Sequence, residues 1–331
     1  MTKQTITFIN SPAEIGGPGT FQKNFTEYCE SKGVKVYVSA EKHIPDNIVV
    51  ISGTRKLIYL LKSKILYNAK IIHRLDGFEF LNANEYGFKK SLHNKLQFLI
   101  IIFIMLFLSD EIIFQSEFVY HWWKKRLGIT LKPHHHIIHN GFHTRFSKNN
   151  NRDLKGDLRL VCVEGAIQLD ALRLKYLKAM DGALAKYDKK THLNIYGKLA
   201  KPLTYSFGHI RFCGALPRDQ IRNLYSEGKV LFIMLERNAA CPNSLIEAIG
   251  SGVPSVGFND GSHAELAQST GVQIDIEDIR DLEMENLEKL LISMLINFDN
   301  NYDNFFIQTI KRAHDLTLDK MCERYFKVVF N

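Results

Sequence analysis

The stretch Cys241-Pro-Asn-Ser-Leu-Ile-Glu-Ala-Ile-Gly-Ser-Gly-Val-Pro254 predicts a short buried helix that carries one acidic residue. Pro242 lacks a backbone N–H and has a fixed φ, so it suits the first turn of a helix. Apolar residues recur at helical spacing, namely Leu245, Ile246 and Ile249. Gly250 and Gly252 favour close packing and a helix end. Glu247 lies one or two turns into the helix, where a carboxylate can bind paired hydroxyl groups; an ordinary helix with one surface glutamate is the simpler alternative.

Strands alternate with helices on both sides of this stretch. The first series begins with an apolar run at 5–9, and a second begins at 158–163, after the polar and aperiodic segment 147–157. Such alternation predicts parallel sheets with right-handed crossovers, and ligands bind at the carboxyl ends of their strands. The sequence therefore predicts two doubly wound α/β domains, 1–147 and 158–305, with a ligand in the cleft between them. The tail from about 282 to 330 reads as helices.

Composition and charge narrow the partners without choosing one. The chain has 331 residues, of which 45% are hydrophobic and 24% charged, as in globular proteins. A net charge of +8 favours anionic partners: nucleotide diphosphates, lipid phosphates, an acidic membrane surface or nucleic acid. Five cysteines without a Cys-x-x-Cys pair predict reduced thiols in a cytosolic protein. The N-terminus does not follow the pattern of a signal peptide.

The most apolar run of the chain is 96–108, LQFLIIIFIMLFL. It is shorter than the roughly 20 residues that span a bilayer. The simpler interpretation is a helix buried on most sides in the first domain. The alternative is a segment that enters a membrane interface beside Lys89, Lys90 and Lys95. Both interpretations can hold in part.

The stretch that ends at Pro254 resembles the nucleotide-sugar-binding helix of retaining glycosyltransferases with the GT-B fold, in the family usually numbered four. Members of that family carry a glutamate, seven arbitrary residues and a second glutamate. Glu247 matches the second glutamate, so the resemblance implies that it holds the donor ribose, with Asn243 and Ser244 beside it. Ala239 stands at the first glutamate, which usually contacts the transferred sugar. The resemblance implies two facing Rossmann-like domains, with a C-terminal helix, 306–331, that crosses back to the first.

Two segments of the first domain match family landmarks. The loop Gly16-Gly-Pro-Gly-Thr20 follows a strand and precedes a helix, so its backbone N–H groups can approach a phosphate. A plain tight turn explains it as simply, but the resemblance favours Gly16 and Gly17 beside the donor phosphates. In His73-Arg-Leu-Asp-Gly77, Arg74 and Asp76 are expected either to form a structural ion pair or, as the resemblance implies, to place Asp76 and His73 as catalytic residues facing sugar hydroxyls.

Two segments of the second domain depart from the family or admit another explanation. Val163-Glu-Gly-Ala-Ile-Gln168 stands where the family has an arginine and then a lysine that neutralise the donor diphosphate. Because that leaving group needs charge stabilisation, Arg237, Lys198, Arg173 or helix N-termini must substitute. Asn259-Asp-Gly-Ser-His-Ala-Glu265 resembles the loop that closes over the donor, although Glu265 is equally well explained as a helix-start residue.

The histidine-rich segment His134-His-His136, with His139 and His143, invites a zinc interpretation. Its spacing is wrong for a helical pair of ligands, and no cysteine or carboxylate is near in sequence. Alternation along a strand edge explains it better. Gln115–Phe118 and Ile138–Phe142 also match family landmarks and are interpreted as scaffold.

The resemblance implies a retaining, metal-independent hexosyltransferase of the bacterial cell-surface polysaccharide group, which makes lipopolysaccharide or capsule. Its partners would be a nucleotide sugar, a glycan or polyprenyl-diphosphate-linked acceptor and an anionic membrane surface, but no nucleic acid. It would need no cofactor besides its donor substrate. Its location would be cytoplasmic or peripheral at the inner face of the cell membrane. The alternatives are a catalytically degenerate subunit that supports a partner, a nucleotide-sugar epimerase on the same fold and, least favoured, a phosphorylase.

Overall fold

The computed structural model describes residues 5–11, 17–39, 44–75, 88–128, 134–149, 153–226 and 228–331, without the side chains of 88–93, 147–149 and 218. The chain forms two compact units. The first comprises Met1–Gly141 together with Leu318–Asn331, and the second comprises Phe142–Thr317. Each unit contains a six-stranded sheet in which all paired strands are parallel.

The first unit has the strand order β2-β1-β3-β4-β5-β6. Its strands are β1 Thr5–Phe8, β2 Lys35–Val38, β3 Asn47–Ile51, β4 Lys70–Leu75, β5 Glu111–Phe114 and β6 His135–Ile137. Its first helices are α1 Gly17–Ser31, α2 Leu57–Tyr67, α3 Phe88–Phe103, which continues as a π-helical turn Ile104–Leu108, and α4 Glu117–Leu127. The central strands β1, β3 and β4 are almost fully buried because a doubly covered parallel sheet buries both of its faces.

The second unit has the strand order β12-β11-β10-β7-β8-β9. Its strands are β7 Arg159–Ile167, β8 Leu193–Leu199, β9 Ile210–Gly214, β10 Val230–Ile233, β11 Ser255–Phe258 and β12 Gly271–Ile274. Its helices are α5 Ala171–Tyr187, α6 Arg218–Leu224, α7 Asn243–Gly250, α8 His263–Ala267, α9 Ile276–Asp281, α10 Met284–Asn300 and α11 Tyr302–Ala313, with 3₁₀ turns at Thr144–Asn149 and Gln268–Thr270. The predicted pair of doubly wound α/β domains is confirmed.

The last helix, α12 Leu318–Phe330, belongs to the first unit, as the predicted return of the chain requires. The Tyr325 ring lies 4.6 Å from the ring of Phe21 and 5.6 Å from that of Phe25, both on α1. These rings share one hydrophobic cluster with the sheet. Burial of the apolar face of α12 against α1 and the sheet therefore fixes the end of the chain in the first unit.

The unit boundaries differ from the sequence-based ones at 147 and 306. Phe142 and Phe146 are buried in a cluster of the second unit, so that unit begins before the polar segment. Helix α11 also stays with the second unit. A Cβ atom at Gly252 would lie 2.6 Å from the ring of Phe306 on α11, so the backbone just after α7 packs directly against α11. Only Leu318–Asn331 returns to the first unit.

The apolar run 96–108 is not buried on most sides, which corrects the simpler expectation. One face of α3 and its π-helical turn is buried, at Ile101, Ile104, Met105 and Leu108. The opposite face is exposed, at Leu96, Leu99, Phe103 and Phe107. None of the helices in the described parts of the chain is both long and apolar enough to cross a membrane.

Candidate functional site

The second sheet has a topological switch point between β7 and β10. From β7 the chain adds β8 and β9 on one side, and then returns to place β10 on the other side of β7. The loops that follow β7 and β10 therefore diverge at the carboxyl end of the sheet, where open α/β sheets bind ligands. Helices α5 and α7 begin at this same edge, after β7 and β10 respectively.

Helix α7 begins at this edge and carries Glu247 in its second turn, inside the protein. Pro242 is its N-cap residue, with φ −69° and ψ 125°, and the helix runs from Asn243 to Gly250. Glu247 is only 6% exposed. Burial raises the pKa of the Tyr225 hydroxyl well above its usual value, and the nearby charge of Glu247 raises it further. Glu247 is thus a buried carboxylate beside a buried phenol, with Ser244 half-buried in the first turn of the same helix.

The glycines of this segment have the packing role that the sequence predicts. A Cβ atom at Gly250 would lie 2.5 Å from the Phe142 ring, so any side chain there would collide with it. Gly252 has φ +71°, a left-handed conformation that favours glycine. The absence of side chains at Gly250 and Gly252 therefore lets the backbone at the end of α7 pack closely against Phe142 and α11.

Arg237 joins three loops at the carboxyl edge rather than standing free for a ligand. Its Nε donates to Asp260 at 2.7 Å, and its Nη1 lies 3.4 Å from Asp170, the N-cap residue of α5. The loop after β11 also packs on the loop after β10, since the Ser262 N–H donates to the Ala239 carbonyl at 2.9 Å. Two carboxylates therefore already neutralise the guanidinium of Arg237.

Two other cations lie in the β7–β8 region of this unit. Arg173 is in the first turn of α5 and donates through Nη1 to the Gln168 carbonyl, while its buried Nε–H has no hydrogen-bond partner among the described residues. Lys198 is exposed on β8, where it pairs in register with Ala166. No ion pair of Lys198 is found in the described parts of the chain. These two residues retain donor capacity for a ligand.

Sequence reasoning missed Glu164. This residue lies on β7 past the point where its pairing with β10 ends, and its Oε1 accepts the Leu235 N–H at 2.8 Å. Burial, with the negative charge of Glu236, raises the pKa of Glu164 to about 7. The available signal was an acidic residue directly after the predicted strand 158–163, in the segment where the resembled family carries positive charge.

Glu265 lies in the first turn of the short helix α8, as the helix-start explanation expects. Its main-chain carbonyl accepts from Arg312 Nη2 at 3.0 Å, which ties α8 to α11. The neighbouring His263 is fully buried and shares a hydrogen bond with Ser255 at 2.9 Å. This placement accounts for Glu265 structurally, and its role in donor binding stays a prediction.

The predicted residues of the first unit are only partly described. Gly17 begins α1 after β1, whereas Gly16 and Asp76 lie outside the described residues. His73 is fully buried on β4, and its Nε2 donates to the Ser52 carbonyl at 2.6 Å. Burial lowers the pKa of His73 to about 4. The neutral ring is enclosed in the unit, a placement that does not favour contact with a sugar hydroxyl.

The histidine-rich segment forms the edge strand β6 of the first sheet. His136 lies 3.0 Å from Glu111, and the His135 ring stacks on Tyr120 with 4.5 Å between centroids. Among the described residues, no group of three or more histidine, cysteine or acidic side chains is arranged to hold a metal ion. All five cysteines are free thiols.

Comparison with known proteins places a family match on the second unit. Residues 165–291 match the family model described as "Glycosyl transferases group 1". This segment includes Glu247, Arg173 and Lys198. No protein of curated function matches the sequence.

Solved glycosyltransferases share the fold of the whole chain. WaaG, a glycosyltransferase involved in lipopolysaccharide biosynthesis, has a TM-score of 0.64 at 12% identity, covering 99% of this chain and 100% of WaaG. Anabaena HepE in complex with UDP and glucose has a TM-score of 0.62 at 11% identity, covering 98% of each chain. Sucrose-phosphate synthase from Thermosynechococcus elongatus has a TM-score of 0.66 at 11% identity, covering 98% of each chain. The shared fold is the GT-B pair of Rossmann-like domains.

Proposed function

We propose that this chain is a glycosyltransferase that moves a sugar from a nucleoside diphosphate donor to a hydroxyl acceptor with retention of configuration. The observation that carries the proposal is the buried carboxylate of Glu247 on α7, the helix that begins at the switch-point edge and lies within the segment that matches the family model. A carboxylate in this position can accept hydrogen bonds from both hydroxyls of a ribose. Asn243 and Ser244 begin the same helix and would line the donor site.

The diphosphate is the charged part of such a donor and becomes the leaving group. We assign its stabilisation to Arg173, whose buried Nε–H has no partner among the described residues, and to Lys198. Arg237 instead holds the loops through Asp170 and Asp260. The acceptor attacks from the face that the diphosphate leaves, and the departing phosphate oxygen takes the acceptor proton. The protein orients the two substrates and stabilises charge, without a metal ion or further cofactor.

Donor binding and turnover test this proposal directly. Calorimetry with UDP, GDP and their sugars should identify a nucleotide that binds, and an assay for released nucleoside diphosphate should detect transfer. Glu247→Gln removes one negative charge and should weaken binding and turnover by about 10-fold or more, the value of one charge-assisted hydrogen bond. Glu285→Gln, an exposed change on α10, is the matched control. Normal turnover by Glu247→Gln would remove this residue from the donor site.

A non-catalytic subunit is the second candidate function. Ala239 and Ala166 replace two groups that the resembled family uses, and the loop cation Arg237 is already paired. Such a subunit would bind a nucleotide or glycan and support a partner enzyme. Nucleotide binding without any release of nucleoside diphosphate, across the donor panel and with added lipid-linked acceptors, would favour this alternative over the enzyme.

We further propose that the first unit binds an anionic membrane surface, where it would meet a lipid-linked acceptor for bacterial surface polysaccharide. The support is an α2–α3 surface of exposed apolar residues. Of 16 large apolar side chains that are exposed among the described residues, nine lie on this surface. They are Ile58, Leu61, Ile65, Leu66 and Tyr67 on α2, and Leu96, Leu99, Phe103 and Phe107 on α3 and its π-helical turn.

Helix α2 and the π-helical turn after α3 pack against the same part of the first sheet. Leu60 of α2 and Ile104 of the π-helical turn share one buried cluster. Lys62 and Lys95 are exposed on α2 and α3. Apolar side chains flanked by lysines suit a helix pair that lies in the headgroup region of an anionic bilayer. The bound protein would then act at the inner face of the cell membrane.

Vesicle flotation tests the membrane proposal. The wild-type chain should float with vesicles that contain phosphatidylglycerol and bind less at high salt. The double variant Ile65→Asp, Leu99→Asp should remain unbound. Ile307→Asp is the control, since Ile307 is 52% exposed but isolated on α11. A wild-type chain that fails to float, and instead forms a dimer that the double variant disrupts, would assign the surface to self-association.

A further inference from the structure

We infer that Glu164 couples donor binding to proton uptake, so that the second unit binds a nucleoside diphosphate more tightly in acidic than in alkaline solution. The inference rests on the proposed function, because it takes the switch-point edge as the donor site. In this proposal the protonation state of Glu164 determines how tightly the site binds the diphosphate. Its basis is the position of one carboxyl group between two diverging strands.

The Glu164 side chain makes a hydrogen bond to the strand-end backbone where main-chain pairing between β7 and β10 has ended. Strands β7 and β10 pair from Arg159–Val230 to Val161–Phe232 and then separate towards the carboxyl edge. Beyond this point Glu164 Oε1 accepts the Leu235 N–H at 2.8 Å. Backbone N–H groups that face a switch-point crevice are the donors that bind phosphate oxygens in α/β folds. Glu164 therefore satisfies a backbone donor at the place where the two strands diverge.

The backbone beside Glu164 is packed too closely for the residue to move away as a whole. A Cβ atom at Gly197 on β8 would lie 2.2 Å from the Glu164 carbonyl oxygen. Gly165 and Ala166, which follow Glu164, are exposed, and a Cβ atom at Gly165 would meet nothing within 4 Å. The edge is thus open to a ligand directly beyond a carboxyl group whose main chain is held by β8.

Charged groups surround Glu164 from each neighbouring element. Glu236, in the loop after β10, repels the ionised carboxyl group, whereas Arg173 on α5 attracts it. On its own strand, the Cys162 thiol lies 3.9 Å from Oε1. Elsewhere along this edge, Arg237 pairs with both Asp170 and Asp260, and Lys198 lies on β8.

Proton linkage follows from this environment. Because burial and Glu236 raise the pKa of Glu164 to about 7, the free protein changes its charge state close to neutral pH. At pH 8 the ionised carboxylate repels a diphosphate. At pH 6 the carboxyl group is neutral and can donate a hydrogen bond to a phosphate oxygen. A bound diphosphate raises the pKa of Glu164 further, so binding takes up a proton and weakens as the pH rises.

Calorimetry with UDP, or GDP if that nucleotide is the one that binds, measures the linkage in the full-length chain. A one-unit rise in the pKa of Glu164 from about 7 on binding should make affinity about 5-fold higher at pH 6 than at pH 8, in addition to any change caused by the nucleotide's own titration. At pH 7.5, titrations in two buffers of different ionisation enthalpy should show net proton uptake by the wild type. The terminal phosphate of the nucleotide also titrates, but equally for every variant.

Glu164→Gln isolates the protein's share of this effect. The amide keeps an oxygen to accept the Leu235 N–H but cannot ionise, so at pH 8 the variant should bind the nucleotide more tightly than the wild type does at the same pH. On binding the nucleotide, the variant should take up fewer protons than the wild type, and the difference is the uptake by Glu164. Glu285→Gln should keep the wild-type pH dependence. Glu236→Gln, a second variant that does not alter the Leu235 contact, should move the pH midpoint of binding downward.

The outcomes separate the two proposals. If the nucleotide binds and Glu164→Gln shows the same pH dependence and proton uptake as the wild type, the linkage is refuted while the donor site stands. If no nucleotide binds to the wild-type chain at either pH, both the proposed function and this inference are refuted. Loss of the pH dependence in Glu164→Gln, with retention in Glu285→Gln, supports it.

Discussion

Arg74 and Tyr325 are joined by a buried hydrogen bond, in which Arg74 Nε donates to the Tyr325 hydroxyl at 3.1 Å across 251 positions of sequence. The guanidinium also donates through Nη2 to Asn140 at 3.1 Å and lies 4.2 Å from the centroid of the Phe21 ring. Asn140 in turn donates to Gln115 at 3.2 Å. A polar network thus connects β4, the end of β5 and the last helix inside the first unit, so segments interpreted as scaffold do stabilise the fold.

Replacing Tyr325 with phenylalanine should destabilise the first unit. The change removes one partner of a buried charged group, so we expect the free energy of unfolding to fall by about 1.5–3 kcal/mol. The two tryptophans of the chain both lie on α4, so their fluorescence in urea reports unfolding of this unit alone. Tyr67→Phe is the control, because Tyr67 is 48% exposed. Equal midpoints for both variants would show that the bond contributes nothing.

Gly250→Ala should destabilise the second unit by overpacking. The added Cβ atom would lie 2.5 Å from the Phe142 ring, and forcing such a contact in a packed core costs about 1–3 kcal/mol. Amide hydrogen exchange of α7 should therefore become faster. Gly208→Ala is the matched control, since the nearest atom to its Cβ position is 3.9 Å away. Combining Gly250→Ala with Phe142→Leu should recover part of the loss, and additive effects would contradict a direct collision.

The sequence predicts elements whose signal is local. Alternating apolar runs and helices suffice for both sheets, because the central strands are buried on two faces and the helices on one. Pro242 and Gly252 bracket α7 through backbone constraints that need no tertiary context. The same rules do not predict the exposed face of α3, because an uninterrupted apolar run does not show which of its sides will face solvent. Only the packing of Ile104 and Leu108 on the sheet decides which face is left uncovered.

Features of the site that bring together distant segments of the chain could not be predicted from the sequence. Glu164 and Leu235 meet because β7 and β10 are neighbours in the sheet and then diverge. The pairing of Arg237 with Asp170 and Asp260 likewise joins three loops that are far apart in the chain. The sequence analysis named Arg237 as one possible substitute for the missing cations of the resembled family, but the sequence does not show that two carboxylates pair with it.

Stability of the first unit should fall as the pH is lowered from 6.5 towards 4. Burial lowers the pKa of His73 from 6.5 to about 4, so the unfolded chain binds a proton in this window that the folded chain does not. The linkage slope is about 1.4 kcal/mol per pH unit for one such group. Urea midpoints from tryptophan fluorescence should show this slope in the wild type.

His73→Gln gives the comparison for this pH effect, because its amide can still donate to the Ser52 carbonyl but does not titrate. The slope between pH 6.5 and 4 should decrease by the share of one group. The second unit is a poorer test, since His263 has its pKa lowered to about 4 while Glu164 has its pKa raised, and these shifts act in opposite directions. An unchanged slope in His73→Gln would mean that other groups control acid unfolding.

Arg173→Ala should weaken the binding of a nucleoside diphosphate without affecting the corresponding nucleoside. The residue lies in the first turn of α5 with a buried Nε–H that lacks a partner among the described residues, so a phosphate oxygen can take it as a charge-assisted donor. Loss of that bond should raise the Kd for the diphosphate by about 10-fold or more. Calorimetry with UDP and uridine, or their guanosine counterparts, measures both values.

Lys189→Ala, an exposed change in the loop before β8, controls for the loss of net charge. Arg237→Ala should behave differently from Arg173→Ala, because it releases Asp170 and Asp260 from their ion pairs and loosens the loops that they hold. Its effect should therefore extend to the nucleoside as well as the diphosphate. If Arg237→Ala weakens only the diphosphate while Arg173→Ala binds it normally, the guanidinium that serves the phosphates is Arg237, and the ion pairs must open when the donor binds.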